Sequence, residues 1–246
     1  MKINWEVKLA IVLVALSCSI YAFKLFYLKN PQDTANYIFN ALGFLPINVL
    51  LVTIVLNKLL AIRSRRERLD KMNMVIGTFF SEVGNDLIRL IAPSDPDIEQ
   101  LRKSLVMRPE WDGGMFPLVR KQVASHKCAV DASSVDLVQV REFLSSRRDF
   151  MLRLLENPAL LEHESFTDLL RAVFHLAEEL RCRSDLVCLE STDCAHLSGD
   201  LRRVYEQIVD QWLRYMEYLL KNYPYLHSLE MRTNPFDLDA SPVVRE

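Results

Sequence analysis

Glycine is scarce in this chain, six residues in 246. Alternating runs of β-branched residues are scarce too, and the prolines cluster at segment ends. Sheet proteins need period-two alternation and glycine-bearing turns, so these absences predict an all-α fold, rich in Leu, Arg, Glu and Met. There is no glycine-rich phosphate loop, no Gly-x-Ser-x-Gly elbow and no His-Glu-x-x-His, which removes three common enzyme signatures. The five cysteines, Cys18, Cys128, Cys182, Cys188 and Cys194, contain no CxxC pair. An odd count without a disulfide framework fits reduced thiols in a cytoplasmic compartment. A basic excess is also missing. The formal net charge of −2 argues against a nucleic-acid partner, since phosphate-binding domains are normally basic.

What is present is concentrated at one end. Leu9 to Leu28 and Tyr37 to Leu60 are long apolar runs, followed at once by Arg63, Arg65, Arg66 and Arg68. About 20 mostly apolar residues cross ~30 Å of hydrocarbon, so residues 1–62 read as a two-span transmembrane hairpin. Ser17, Cys18 and Ser19 are small enough for a buried helix, and Lys24 lies where its ammonium can reach the headgroups. Trp5 on one side and Tyr21, Phe26 and Tyr27 on the other resemble interfacial belts. The second run carries no charge from Tyr37 to Asn57, and its Pro46 predicts a kink. A signal-peptide reading of Ala15-Leu16-Ser17-Cys18 is weaker, because the apolar character continues through Phe23 to Leu28.

Lysine and arginine set the orientation. The segment Lys29 to Asn36 has one lysine, whereas Lys58, Arg63, Arg65, Arg66, Arg68 and Lys71 flank the end of the second run. The expectation is a multi-pass protein of the cell's inner (plasma) membrane with both termini cytoplasmic, Lys2 and Lys8 included. Arg63 to Arg68 would meet anionic lipid headgroups of the bilayer, at about 1 kcal/mol for each basic residue.

The rest divides into a membrane-proximal long helix and a short helix (63–107), a cytoplasmic antiparallel helical bundle (115–232) and a flexible tail (233–246). Leu69, Met72, Ile76, Phe79, Phe80, Val83, Leu87, Leu90 and Ile91 form one stripe in steps of three and four. Within it Ile76, Phe80, Val83, Leu87 and Leu90 have the spacing of a coiled-coil seam, with Gly77, Ser81 and Gly84 along one face. Unbroken from Tyr37 to Ile91, this helix would be about 80 Å long. Pro93 and Pro96 end it. Asp97 to Val106 reads as a short helix, and Met107 to Pro117 as a loop whose Trp111 and Phe116 plug a core edge. Three helices follow: from Ser133 or Ser134 to about Glu156, from Phe166 to Leu180, and from Leu201 to Leu219 before Tyr223-Pro224. A seam projecting from the membrane favours cover by a second copy, hence a possible homo-oligomer.

Candidate chemistry is sparse. His175, Glu178 and Glu179 have helical spacing for a metal pair, but His175 lies about 180° from Phe166 on a straight helix, on a charged face. Asp193 and His196 are three residues apart and could share a face. Cys182, Cys188 and Cys194 recur every six residues, which is no zinc-ligand spacing. The Glu-x-x-His repeats of a di-iron bundle are missing. Glu179-Leu180-Arg181 resembles part of the His-Glu-Leu-Arg box of sensor histidine kinases. Glu178 stands where the phospho-accepting histidine belongs and no glycine-rich ATP domain follows, so that resemblance is set aside.

No catalytic, cofactor-binding or metal residue is therefore assigned. The expected function is a membrane-anchored, non-enzymatic helical protein that self-associates or binds a partner through its cytoplasmic part. The alternative is an oligomeric channel or transporter component, suggested by Asn40, Asn48, Thr53 and Asn57 in the second run.

Overall fold

The structure is a computed structural model that describes residues 5–28, 31–108, 110–126, 128–158, 160 and 163–244. Expectations that rest on Lys2, Lys29 and Pro109, or on the side chains of Trp5, Lys8, Tyr27, Arg66 and Arg68, lie outside the described residues. Among the described residues the fold is all-α, with no strand. Two compact units divide the chain, Met1–Arg65 and Arg66–Glu246. The boundary falls where the sequence turns from apolar to arginine-rich. The second unit takes in 115–232 together with all of 63–107 except its first three residues.

The first unit holds α1 (Trp5–Leu28) and the start of α2 (Pro31–Phe79). Proline at the first helical position loses no hydrogen bond, so α2 begins there and the expected loop at Lys29 to Asn36 is helical from residue 31. Tyr21 of α1 meets Tyr37 of α2 with ring centroids 6.4 Å apart. The Lys24 ammonium lies 4.9 Å from the Tyr37 centroid. The α-helix continues through Pro46. Among the described residues one helix, beginning at Ala35, is long and apolar enough to cross a membrane; Val14–Lys24 is a shorter apolar stretch.

In the second unit α9 (Ser191–Asn222) is the central helix. Around it pack α3 (Asn85–Ile91), α5 (Met115–Ser125), α8 (Glu164–Cys182) and α10 (Pro224–Arg232), while α6 (Leu137–Ser146) and α7 (Arg148–Leu155) lie against α8. The amphipathic stripe of α9 supplies Leu201, Val204, Ile208, Trp212, Met216 and Leu219 to the core, each at most 2% exposed. A short helix α4 (Ile98–Leu105) packs on α5. Phe116 is fully buried with the Trp111 ring edge-on at 5.6 Å.

The seam expected to await a second copy is covered by this chain itself. Between α2 and α3 lies one π-helical turn, Phe80–Gly84. A π turn inserts a residue into the α-helical register, which brings both Phe79 and Phe80 inward together with Val83, Leu87 and Ile88, all fully buried. Phe79 meets Phe166 of α8 edge-on at 5.3 Å, and Phe80 stacks on Tyr215 of α9 at 5.4 Å. Leu90 is half-buried against the same core, whereas Leu69, which continues the spacing, is exposed. The two glycines of the small-residue face are likewise covered within the chain. A Cβ at Gly77 would stand 2.7 Å from the Tyr215 hydroxyl oxygen and 3.2 Å from its Cζ, Gly84 lies against the rings of Phe80 and Phe79, and Ser81 is exposed.

That close approach has a testable consequence. Alanine at 77 gains roughly 1 kcal/mol of helix propensity, while forcing atoms into a packed site costs about 1–3 kcal/mol. Because the stacked Phe80 restrains the Tyr215 ring, Gly77→Ala is expected to lower the thermal midpoint measured by circular dichroism. Adding Tyr215→Phe, which removes the atom at 2.7 Å, should restore part of the loss.

Elsewhere the boundaries differ in informative ways. The single helix expected to start at Ser133 or Ser134 and reach Glu156 is two helices, α6 and α7, broken at Arg147. Ser146 donates its hydroxyl to the Phe143 carbonyl at 2.6 Å, a local bond that competes with helix continuation. The caps are aspartates: Asp131 accepts from the Ser133 N–H in a 3-10 turn, and Asp136 accepts from the Gln139 N–H at the start of α6. At α8 the cap is His163, whose Nδ1 accepts from the Phe166 N–H at 3.1 Å. Burial lowers the pKa of that imidazole and so favours the neutral, accepting form. Neither α5 nor α10 was expected as a separate helix. Within the tail expected to be flexible, Asn234 and Phe236 are each 1% exposed.

Candidate functional site

The strongest constellation in the second unit lies between α8 and α9. Leu169, Leu176 and Leu180 of α8 and Leu197 and Leu201 of α9 are buried between charged outer faces, which sets the two helices side by side. His175 and Glu179 stand one turn apart on α8, and His196 and Asp200 one turn apart on α9. His175 Nε2 is 3.3 Å from Asp200 Oδ2, and His196 Nε2 is 3.6 Å from Glu179 Oε2. Late residues of α8 thus meet early residues of α9, so the pair is antiparallel. The four side chains converge.

Asp200 is the buried member, with its side chain 4% exposed, whereas those of His175 and His196 are 48% and 53% exposed. Its Oδ1 accepts from Arg203 Nη1 at 2.7 Å. The other oxygen, Oδ2, has no hydrogen bond, although His196 Nε2 also lies 3.5 Å away. One ring nitrogen of each histidine and a carboxylate oxygen of Asp200 lie within 4.8 Å of one another. Arg183 braces the edge of the site. Its Nη1 donates to Glu179 Oε2 at 2.7 Å, and Nε and Nη2 grip both oxygens of Asp193 at 2.9 and 2.6 Å. The bond from Arg183 is the main cause holding Glu179, and likewise Asp193, below the usual carboxylate range.

His175 is on the outward, charged face, where the helical wheel placed it. What single-helix reasoning missed is the partner helix, since His-x-x-x-Glu on α8 and His-x-x-x-Asp on α9 present matching pairs to each other. The repeated spacing was the available signal. Glu178 takes no part, because Arg148 and Arg181 bind it. Asp193 turns to Arg183 rather than pairing with His196. All five cysteines are free, and none joins the histidine cluster among the described residues.

A second feature is a cavity of about 250 Å³ bordered by Leu101, Val123, His126, Cys128, Tyr205 and Val209. His126 Nε2 lies 2.8 Å from Oδ2 of the fully buried Asp95. Burial pushes the Cys128 thiol up to about 11, so at neutral pH it is a thiol and not a nucleophilic thiolate. The Tyr205 hydroxyl is buried without a partner, and burial raises its pKa. The residue types are those of a Cys-His-Asp set, but the thiol's protonation state does not suit that chemistry.

Comparison with known proteins follows the same division as the fold. Residues 1–60 match a family described as "MJ1433, N-terminal helical domain", and residues 68–232 match "Uncharacterized protein MJ1433, C-terminal helical domain". The chain is 41% identical over 238 residues to "Uncharacterized protein MJ1433" of Methanocaldococcus jannaschii, covering 97% of this chain and 95% of that protein. No solved structure matches.

Proposed function

The chain belongs to the MJ1433 family, and we propose that it is a membrane-anchored, non-enzymatic helical protein whose second unit binds a partner on the cytoplasmic side. One observation carries the anchoring. Along α2, Phe39, Leu42, Phe44, Leu45, Leu50 and Leu51 are each 57–79% exposed, and no residue from Tyr37 to Asn57 is charged. A contiguous apolar surface of this size is not left in water by soluble proteins, so hydrocarbon is its natural solvent. The 24 residues of α1 span about 36 Å at 1.5 Å each, a length that supports reading α1 as the second span of a hairpin. Exposed Arg63 and Arg65 then meet anionic headgroups beyond the second span.

Partner binding is favoured over self-association through the Ile76–Leu90 seam, because that seam is occupied by the chain's own core. The channel reading has less support. α2 remains α-helical through Pro46, and on such a helix Asn40, Asn48, Thr53 and Asn57 point to roughly 0°, 80°, 220° and 260°, with no single polar stripe.

Cysteine labelling tests the topology. With the native cysteines replaced, a membrane-impermeant maleimide applied to intact cells is expected to label Gln32→Cys and to miss Leu238→Cys. Permeabilised cells should label both. Reaction of Leu238→Cys in intact cells would overturn the cytoplasmic placement.

A further inference from the structure

We propose that His175, His196 and Asp200 form a binding site for a divalent transition-metal cation of the zinc class, with a fourth position open to solvent beside Glu179. The donor atoms are Nε2, Nε2 and Oδ2. A tetrahedral ion with bonds of about 2.0–2.1 Å holds its ligand atoms roughly 3.3–3.4 Å apart. The two Nε2–Oδ2 separations, 3.3 and 3.5 Å, lie near that edge length, and ring nitrogens within 4.8 Å of each other would close to it around a bound ion.

The observation that points to a ligand is the orphaned Asp200 Oδ2. A buried carboxylate oxygen without a hydrogen bond is costly, and Arg203 satisfies only its sibling. Both imidazole Nε2 atoms stand at ion-pair distance from Oδ2, 3.3 and 3.5 Å, without a hydrogen bond to it. A cation between the three atoms would satisfy all of them through the lone pairs that ligation uses. Donor type narrows the ion. Two imidazoles and one carboxylate suit zinc-class ions better than calcium or magnesium, which prefer oxygen, and without thiolate the set does not favour copper(I) or iron–sulfur clusters.

Glu179 completes the surroundings. Its Oε1 is 3.8 Å from His175 Nε2, and Arg183 holds the other oxygen. An ionised carboxylate beside the open position adds negative charge without closing it. Because the ligands come from two antiparallel helices, a bound ion would also fasten α8 to α9.

The test uses the untagged full-length protein in detergent, stripped with a strong chelator and titrated with Zn2+ against a competing indicator, and in parallel with Co2+ followed by visible absorption. The expected result is one ion per chain and an intensified Co2+ visible band without near-ultraviolet thiolate charge transfer. Disturbing groups around a metal site alone lowers affinity 10–100-fold, so His175→Gln and His196→Gln, each losing a direct ligand, should weaken binding by at least ~100-fold. Both side chains are about half exposed, so these variants should retain the wild-type circular dichroism. Glu178→Gln and a protein with all five cysteines replaced by serine should bind as wild type. Absence of stoichiometric binding, unchanged affinity in both histidine variants, or a thiolate band would overturn the assignment.

Discussion

Replacing Val83 with aspartate is expected to unfold the second unit rather than to release a folded monomer from an oligomer. Val83 sits in the π turn with no exposed surface, among Phe79, Phe80 and Leu87, which are equally buried. An ionised or even neutral carboxyl group there has no partner, and its desolvation costs several kcal/mol. Domains are stable by only about 5–15 kcal/mol, so one such group consumes a large share of the total. The measurement is near-ultraviolet circular dichroism and thermal unfolding of the full chain in detergent, with light scattering for mass. Loss of the near-ultraviolet signal, or a sharply lowered midpoint, is the expected outcome, with a smaller drop for Val83→Ala. A folded Val83→Asp protein of lower mass than wild type would mean that the seam faces another copy after all.

The same segment shows what a one-dimensional pattern contains. The stripe from Met72 to Ile91 was legible because core-facing residues of a helix recur every three or four positions, whoever covers them. The covering surface was not legible, since Phe166 and Tyr215 lie far along the chain and nothing local ties them to Phe79 and Phe80. The π turn was hidden as well. It appears only as adjacent apolar pairs, Phe79-Phe80 and Leu87-Ile88, which a regular helix would spread across a wider face. Gly77 is legible as a small residue, but its reason, the Tyr215 hydroxyl, belongs to tertiary packing.

The α8–α9 cluster follows the same logic. Periodicity placed His175 correctly on an outward face and, for that reason, weighed against it. An outward face on a helix at the edge of a bundle can still adjoin the outward face of its neighbour, and four polar side chains met along that line. Reading each helix alone removes the partner that gives the pair its chemistry. By contrast, the apolar runs of the first unit needed no partner to be recognised, because length and lack of charge are properties of a single segment.

The tail makes the complementary point, and Phe236→Ala carries the second large effect. Pro235 and Pro242 disfavour a continuous helix, and a short aperiodic end reads as loose; lack of periodicity is not lack of anchoring. Phe236 is 1% exposed and packs on Trp212 of α9 with ring centroids 5.3 Å apart. Asn234 fixes its approach, since Nδ2 donates to the Leu105 carbonyl at 2.8 Å while Oδ1 accepts from the Phe236 N–H at 3.0 Å. Arg89 donates to the Thr233 carbonyl at 2.7 Å, and Arg232 donates to that of Pro242 at 2.7 Å. Truncating a buried phenylalanine costs about 3–5 kcal/mol. The exposed Leu238, two residues on, is the matched control, expected to change stability by no more than about 0.5 kcal/mol when replaced by alanine. Denaturant unfolding of the two variants should separate them clearly. Coincident midpoints would show that the segment after Thr233 is not part of the core.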